Sequence, residues 1–286
     1  MLVIVGVIVV MACVLGGFML SGGNIGALIH PAEILTIAGA AFGAAIVMSP
    51  KKVLIDTVKG VIQAMKGSPF NRKSYDELFQ AMYELFRLAR RDGTLALEPH
   101  LSNPHESPIF SKYPSVGKNH HTTKFICGAL SPIMDGSVTP EQLPSLLGAE
   151  LKALEEEHHA PISVITKTAD ALPGFGIVAA VLGIVITMAH IDGPVHEIGH
   201  KVGAALVGTF LGILLSYGMF APLAVKMEFV SAAEMAYFRT IASLVEAFAN
   251  QLPPKVALEQ ARRGLSSEVR PEQEELEALL KAVDAA

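Results

Sequence analysis

The sequence predicts an all-α integral membrane protein with four transmembrane helices, a large cytoplasmic helical domain between spans 2 and 3, and a cytoplasmic C-terminal helical tail. Three observations carry that prediction. Of the 286 residues, 51% are hydrophobic and only 17% charged, and the mean hydropathy of +0.45 is too apolar for an ordinary soluble domain. The apolar residues are bunched into four uncharged runs. The basic residues are bunched as well: of 22 Lys and Arg, 14 lie between Lys51 and Lys167, 7 from Lys226 onward, and only Lys201 elsewhere.

The first run extends from Met1 to Glu33 without a charged side chain between them. It has no Lys or Arg ahead of it and no clear cleavage site, so it reads as a retained span rather than a signal peptide. Ile34 to Pro50 is the second run, and Ala171 to Ile191 and Val202 to Val225 are the third and fourth. A bilayer core needs about 20 apolar residues per helix, within a range of roughly 17 to 25, and all four runs meet it. The divisions that follow are 1–50 as a transmembrane hairpin, 51–170 as a cytoplasmic helical domain, 171–226 as a second hairpin with a short outer loop at 191–201, and 227–286 as the tail. Basic residues mark the inner side of a membrane, which places both termini and the middle domain in the cytoplasm.

Within 51–170 the 14 basic and 14 acidic residues balance. In "SYDELFQAMYELFRLARRDG" the apolar positions Leu78, Met82, Leu85, Phe86 and Ala89 recur at helical spacing, with Ser74 as the expected cap and Gly93 as the stop. "EPHLSNPHESPIFSKYP" is dense in Pro, Ser and Asn and reads as an irregular connector. A further helix is expected from Thr139 or Pro140 to about His159. The tail should continue the last span, break at Pro253-Pro254 and end in a charged helix.

Inside the spans, Gly39 and Gly43, Ala179 and Gly183, and Ala204, Gly208 and Gly212 are spaced by four, so each set lines one helix face and lets backbones approach closely. Such rows pack helices within one subunit or between subunits, and both readings stand. Pro173 and Pro222 fall near the ends of the third and fourth spans, where a proline is more often a boundary than a hinge. No span carries an interior Asp, Glu, Lys or Arg; its polar groups are hydroxyls such as Thr36, Thr187, Thr209, Ser216 and Tyr217. Ion pathways normally show an intramembrane ionisable group. Either no ion moves here or a partner contributes that group.

Residues 196–200, His-Glu-Ile-Gly-His, have the spacing of a zinc protease motif, in which His196 and His200 would bind metal and Glu197 would activate its water. They fall in the outer loop and the entry to the fourth span, with only Asp192 as a nearby acid, and read as interfacial polar residues. Cys13 and Cys127 lie on opposite sides of the map and imply no disulfide. A net charge of -5 without a concentrated basic patch argues against nucleic acid. No cofactor site and no enzyme emerge from these patterns.

"DALPGFGIVAAVLGIVITM" (170–188) and "LVGTFLGILLSYGMFAPLA" (206–224) resemble the third and fourth membrane helices of the MotA family, stator subunits of the bacterial flagellar motor and part of the MotA/TolQ/ExbB proton channels. "GGFMLSGGNIGALIHPAEILTIAGAAFGA", "NPHESPIFSKYP" and "PPKVALEQARRGLSSEVRP" extend the resemblance along the chain in the same order and spacing.

That resemblance implies a multi-pass protein of the bacterial inner membrane, with 191–201 as a periplasmic loop, working in a ring of five such chains around a MotB-like partner whose membrane aspartate binds the proton. It maps the ion path onto Thr209, Pro173 and Pro222, and the contact with the rotor protein FliG onto Arg90 and Glu98. Because the basic site is doubled, Arg91 shares or replaces the role of Arg90 in one reading and not in the other. The alternative is an ExbB/TolQ-like energising subunit of an outer-membrane transport complex. Those proteins resemble the last two spans but have three spans, and the uncharged start followed by a second span favours the stator.

Overall fold

The computed structural model describes residues 2–285, and among these every regular element is helical. Two compact units divide the chain, one formed by the N-terminal part through Gly67 with Glu157–Ser231, the other by Ser68–Glu156 with residues from Ala232 onward.

In the first unit α1 (Leu2–Leu20) buries no residue, and Leu2, Ile4, Val5, Ile8 and Val9 all point outward. A helix this apolar that buries none of its residues has lipid as its matching solvent. A short turn over Ile25–Leu28, capped by Asn24, leads into α2 (Pro31–Met48), whose proline at the first helical position has no N–H to leave unpaired. Next comes α3 (Lys51–Lys66), an amphipathic helix that ends at Gly67 with φ +96°. It buries Ala64 against Ile162, Ile165, Ala224 and Met227.

The second unit has the larger core. Helix α4 (Arg72–Asp92) buries Leu78, Met82, Leu85, Phe86 and Ala89 as its period demands, and Gly93 ends it at φ +89°. Its cap is Asn71 rather than Ser74: the Asn71 side chain accepts from the Ser74 backbone N–H, and the Ser74 hydroxyl donates to the Pro69 carbonyl. The expected irregular connector is three short helices, α5 (Glu98–Ser102), α6 (Pro108–Lys112) and α7 (Pro114–Gly117). Each has proline in its first two positions, where the residue that breaks a helix interior starts one instead. Helix α8 (His120–Met134) follows, capped by Asn119.

The helix expected to stop near His159 does not stop. Helix α9 runs unbroken over Leu143–Met188, 46 residues, with Pro161 and Pro173 inside it. After a turn, α10 (Val195–Leu215), a π-helical turn at Ser216–Phe220 and α11 (Ala221–Ala249) follow directly. Together with α1 and α2 these make four stretches long and apolar enough to cross a membrane. The tail breaks at Pro253 and resumes as α12 (Pro254–Arg263) and α13 (Gln273–Ala285). In the second unit Phe86 stacks on Phe248 at 4.6 Å, and Tyr237, Phe238 and Ile241 enter the same core as Phe79 and Phe125. The ends of α4 and α13 are pinned by Arg72 to Glu275 and by Tyr83 and Arg87 to Asp284.

Candidate functional site

Two groups of residues need placing, the hydroxyl and prolines of the spans and the charges of the second unit. Helices α9 and α10 meet along glycine. A methyl on Gly176 would lie 2.9 Å from the Gly208 carbonyl oxygen and 3.2 Å from the Thr209 Cα, and one on Gly212 would lie 2.6 Å from the Leu172 carbonyl oxygen. Such approaches exclude any side chain, so both backbones touch over a full turn. Farther along, Gly183 meets Ala205, which is 1% exposed, so the contact row is Ala205, Gly208 and Gly212 rather than one through Ala204. The α9 and α10 rows therefore pack within this chain. Gly39 and Gly43 have nothing within 4 Å of an added methyl, and that face of α2 is open.

Thr209 is half-buried on α10, beside Gly176 and thus three residues from Pro173 in the facing helix. Its hydroxyl has no hydrogen-bond partner among the described residues, whereas Thr187 and Thr168 each donate to the carbonyl four residues back. Pro173 lacks the N–H that would serve the Ala169 carbonyl. Ser216, 1% exposed, serves it instead: its hydroxyl donates to that oxygen at 2.7 Å. A buried carbonyl without a donor is costly in an apolar surrounding, and this bond is why α9 passes through Pro173.

Ser216 also opens the π-helical turn, where its own carbonyl accepts from the Ala221 N–H five residues on. The wider turn relieves the ring of Pro222, which is exposed at the second position of α11. Ser216 therefore joins the two proline-bearing helices at one atom group. Sequence reading placed it only among the span hydroxyls; the signal was the acceptor four residues before Pro173, a position that requires a donor from elsewhere.

The charges sit on the surface of the second unit. Arg90, Arg91 and Glu98 are all exposed, the two arginines in the last turn of α4 and the glutamate at the start of α5. Arg91 is occupied by its neighbour, with Nε and Nη2 donating to the Asp92 carboxylate at 2.9 and 2.7 Å. That hydrogen-bonded pairing holds the Asp92 carboxyl below the ordinary carboxylate range. Arg90 and Glu98 have no ion-pair partner among the described residues. Arg87, one turn earlier, is taken by Asp284 at 2.6 Å. In the first unit, His196, Glu197 and His200 fall in the opening turns of α10, where His200 meets the His30 ring edge-on at 5.8 Å. Among the described residues no three His, Cys, Asp or Glu gather as metal ligands.

Four spans without an interior charge, the third and fourth joined by close glycine packing, and a second helical unit beside them in the sequence define the class as a multi-pass membrane subunit. Residues 118–240 match the MotA/TolQ/ExbB proton channel family, and residues 4–93 match the Motility protein A N-terminal family. The chain belongs to the motility protein A family. It is 36% identical to Motility protein A of Salmonella typhimurium over 283 residues, covering 99% of this chain and 96% of that one. Chemotaxis protein LafT of Vibrio parahaemolyticus is 37% identical over 275 residues, 96% of each chain.

The fold agrees with that of chains in two solved structures. A chain of the C. jejuni MotAB structure superposes with a TM-score of 0.78 at 23% identity, covering 95% of this chain and 98% of that one. One of the flagellar MotAB stator complex from Bacillus subtilis gives 0.71 at 26%, with 90% and 92% covered. Relatives over nearly the whole length are motility proteins, so the ExbB/TolQ-like alternative is not favoured.

Proposed function

We propose that this chain is a flagellar stator subunit that, with a MotB-like partner, conducts protons across the bacterial inner membrane and converts their flow into torque on FliG. It catalyses no covalent reaction in this reading. The observation that carries it is that this chain, which matches a proton-channel family over residues 118–240, has four long apolar runs with no Asp, Glu, Lys or Arg inside them. A proton path through such a subunit needs a titratable group from outside, which a membrane aspartate of the partner would supply. Five copies around two partner helices, with both termini, 51–170 and 227–286 in the cytoplasm, complete the arrangement.

Thr209, with its hydroxyl uncommitted, lines the path beside the partner carboxylate. Pro173 and Pro222 shape the helices on either side of it. A proton falling through the membrane potential releases about 2.3 kcal/mol for each 100 mV. Neutralising the partner carboxylate changes the ring position it prefers, and repeated protonation then steps the ring around. Arg90 and Glu98, with Arg91 in the same turn, pass that motion to the rotor.

Proton flux into vesicles holding this chain alone, or this chain with a MotB-like partner, tests the reading. Flux should require the partner. Substantial flux from this chain alone would overturn it.

A further inference from the structure

Beside the charged face of the second unit stands a large apolar side chain turned to water. Leu95 is 70% exposed, while Leu97, two residues on, is 0% exposed. Within this unit the other large apolar side chains that stand out are Leu146 at 39% and Val256 at 49%.

The backbone holds Leu95 there. At Gly93 the chain turns with φ +89°, a conformation a Cβ disfavours. Thr94–Leu97 then form a single tight turn in which the Ala96 N–H donates to the Gly93 carbonyl and the Glu98 N–H to the Leu95 carbonyl. Leu97 enters the core with Leu101 and Phe86. Rolling the turn to bury Leu95 would pull Leu97 out, so the exposed leucine is fixed between Arg90 in α4 and Glu98 in α5.

We propose that Leu95 is the apolar anchor of a protein contact whose charged rim is Arg90 and Glu98. Its partner is a surface of the rotor that offers a recess for one aliphatic side chain, an acidic group facing Arg90 and a basic group facing Glu98. This rests on the reading of Arg90 and Glu98 as rotor contacts. Exposed charges register two surfaces but hold them weakly. Holding comes from an apolar side chain seated at the centre of a contact with polar groups around it. A contact that must re-form repeatedly under load needs both properties.

Stepwise restoration of motor torque in tethered cells, as full-length stator complexes join one by one, reads torque per unit independently of abundance. Leu95→Gln should lower each torque step by about half or more, because a seated apolar anchor is lost, and Leu95→Met should keep it. The combined reversal Arg90→Glu and Glu98→Arg, run alongside, should also lower it. Normal steps in Leu95→Gln with small steps in the reversal would overturn the anchor and leave the charged contact standing. Normal steps in both would overturn the rotor-contact reading and the anchor with it. If Leu95→Gln instead yields smaller complexes on sizing in detergent, Leu95 packs against a second copy of this chain and the proposal is wrong.

Discussion

Ser216 donates its hydroxyl to the Ala169 carbonyl at 2.7 Å, the acceptor that Pro173, four residues on, has no N–H to serve. The two changes should therefore be coupled. Ser216→Ala alone leaves a buried carbonyl unpaired and should cost about 1 kcal/mol or somewhat more. In a Pro173→Ala background the new N–H takes over, and the same serine change should cost little. Thermal unfolding of the four variants in detergent measures the coupling; equal losses in both backgrounds would show that the serine does not replace the missing donor.

Thr209→Val should leave stator assembly intact, because the hydroxyl it removes has no partner among the described residues. Swimming should slow and proton flux fall. Wild-type speed would exclude the hydroxyl from the ion path.

Arg90→Glu should cut motility more than Arg91→Glu. The difference follows from Asp92, which engages Arg91 and leaves Arg90 free. A matching reversal on the rotor should restore part of the Arg90→Glu loss at unchanged membrane abundance. Equal effects of the two reversals would show that the pair with Asp92 opens on contact.

Acid should loosen α12 before neutral pH does anything to it. Hydrogen bonds from Arg262, with help from Arg263 against the cost of partial burial, lower the Glu259 carboxyl from 4.5 to about 2. A depressed carboxylate stabilises the folded form at every pH above its ordinary value. That contribution is lost as pH falls from about 4.5 toward 2. Amide protection factors across Pro254–Arg263, each taken relative to the intrinsic exchange rate at that pH, should fall over that interval, and Glu259→Gln should already be less protected at pH 7 and respond less to acid.

The spans were legible because composition alone marks them, and α4 because its buried positions repeat with the helical period. Proline misled at both kinds of site. In the segment 98–117 it starts helices, since Pro99, Pro108 and Pro114 stand where no N–H is needed. At Pro173 in α9 it interrupts nothing, because a hydroxyl 47 positions beyond the Ala169 carbonyl supplies the missing bond. Local pattern cannot contain a partner that distant. Helix α3, with its apolar stripe shared between lysines, went unread for want of a continuous run. Thr209, Arg90 and Glu98 came from resemblance; only geometry separates Arg91, already bonded, from Arg90.

Asp284 accepts from Arg87, 197 residues earlier in the chain, and from Tyr83 on the same helix. The ribosome has therefore made the third and fourth spans before the residue that clamps α4 exists. The outer face of α4 can make these bonds only after those spans have been synthesised, so the charged face of α4 is completed late in the making of the chain. A nascent chain that stops short of Asp284 would leave Arg87 and Tyr83 without that partner.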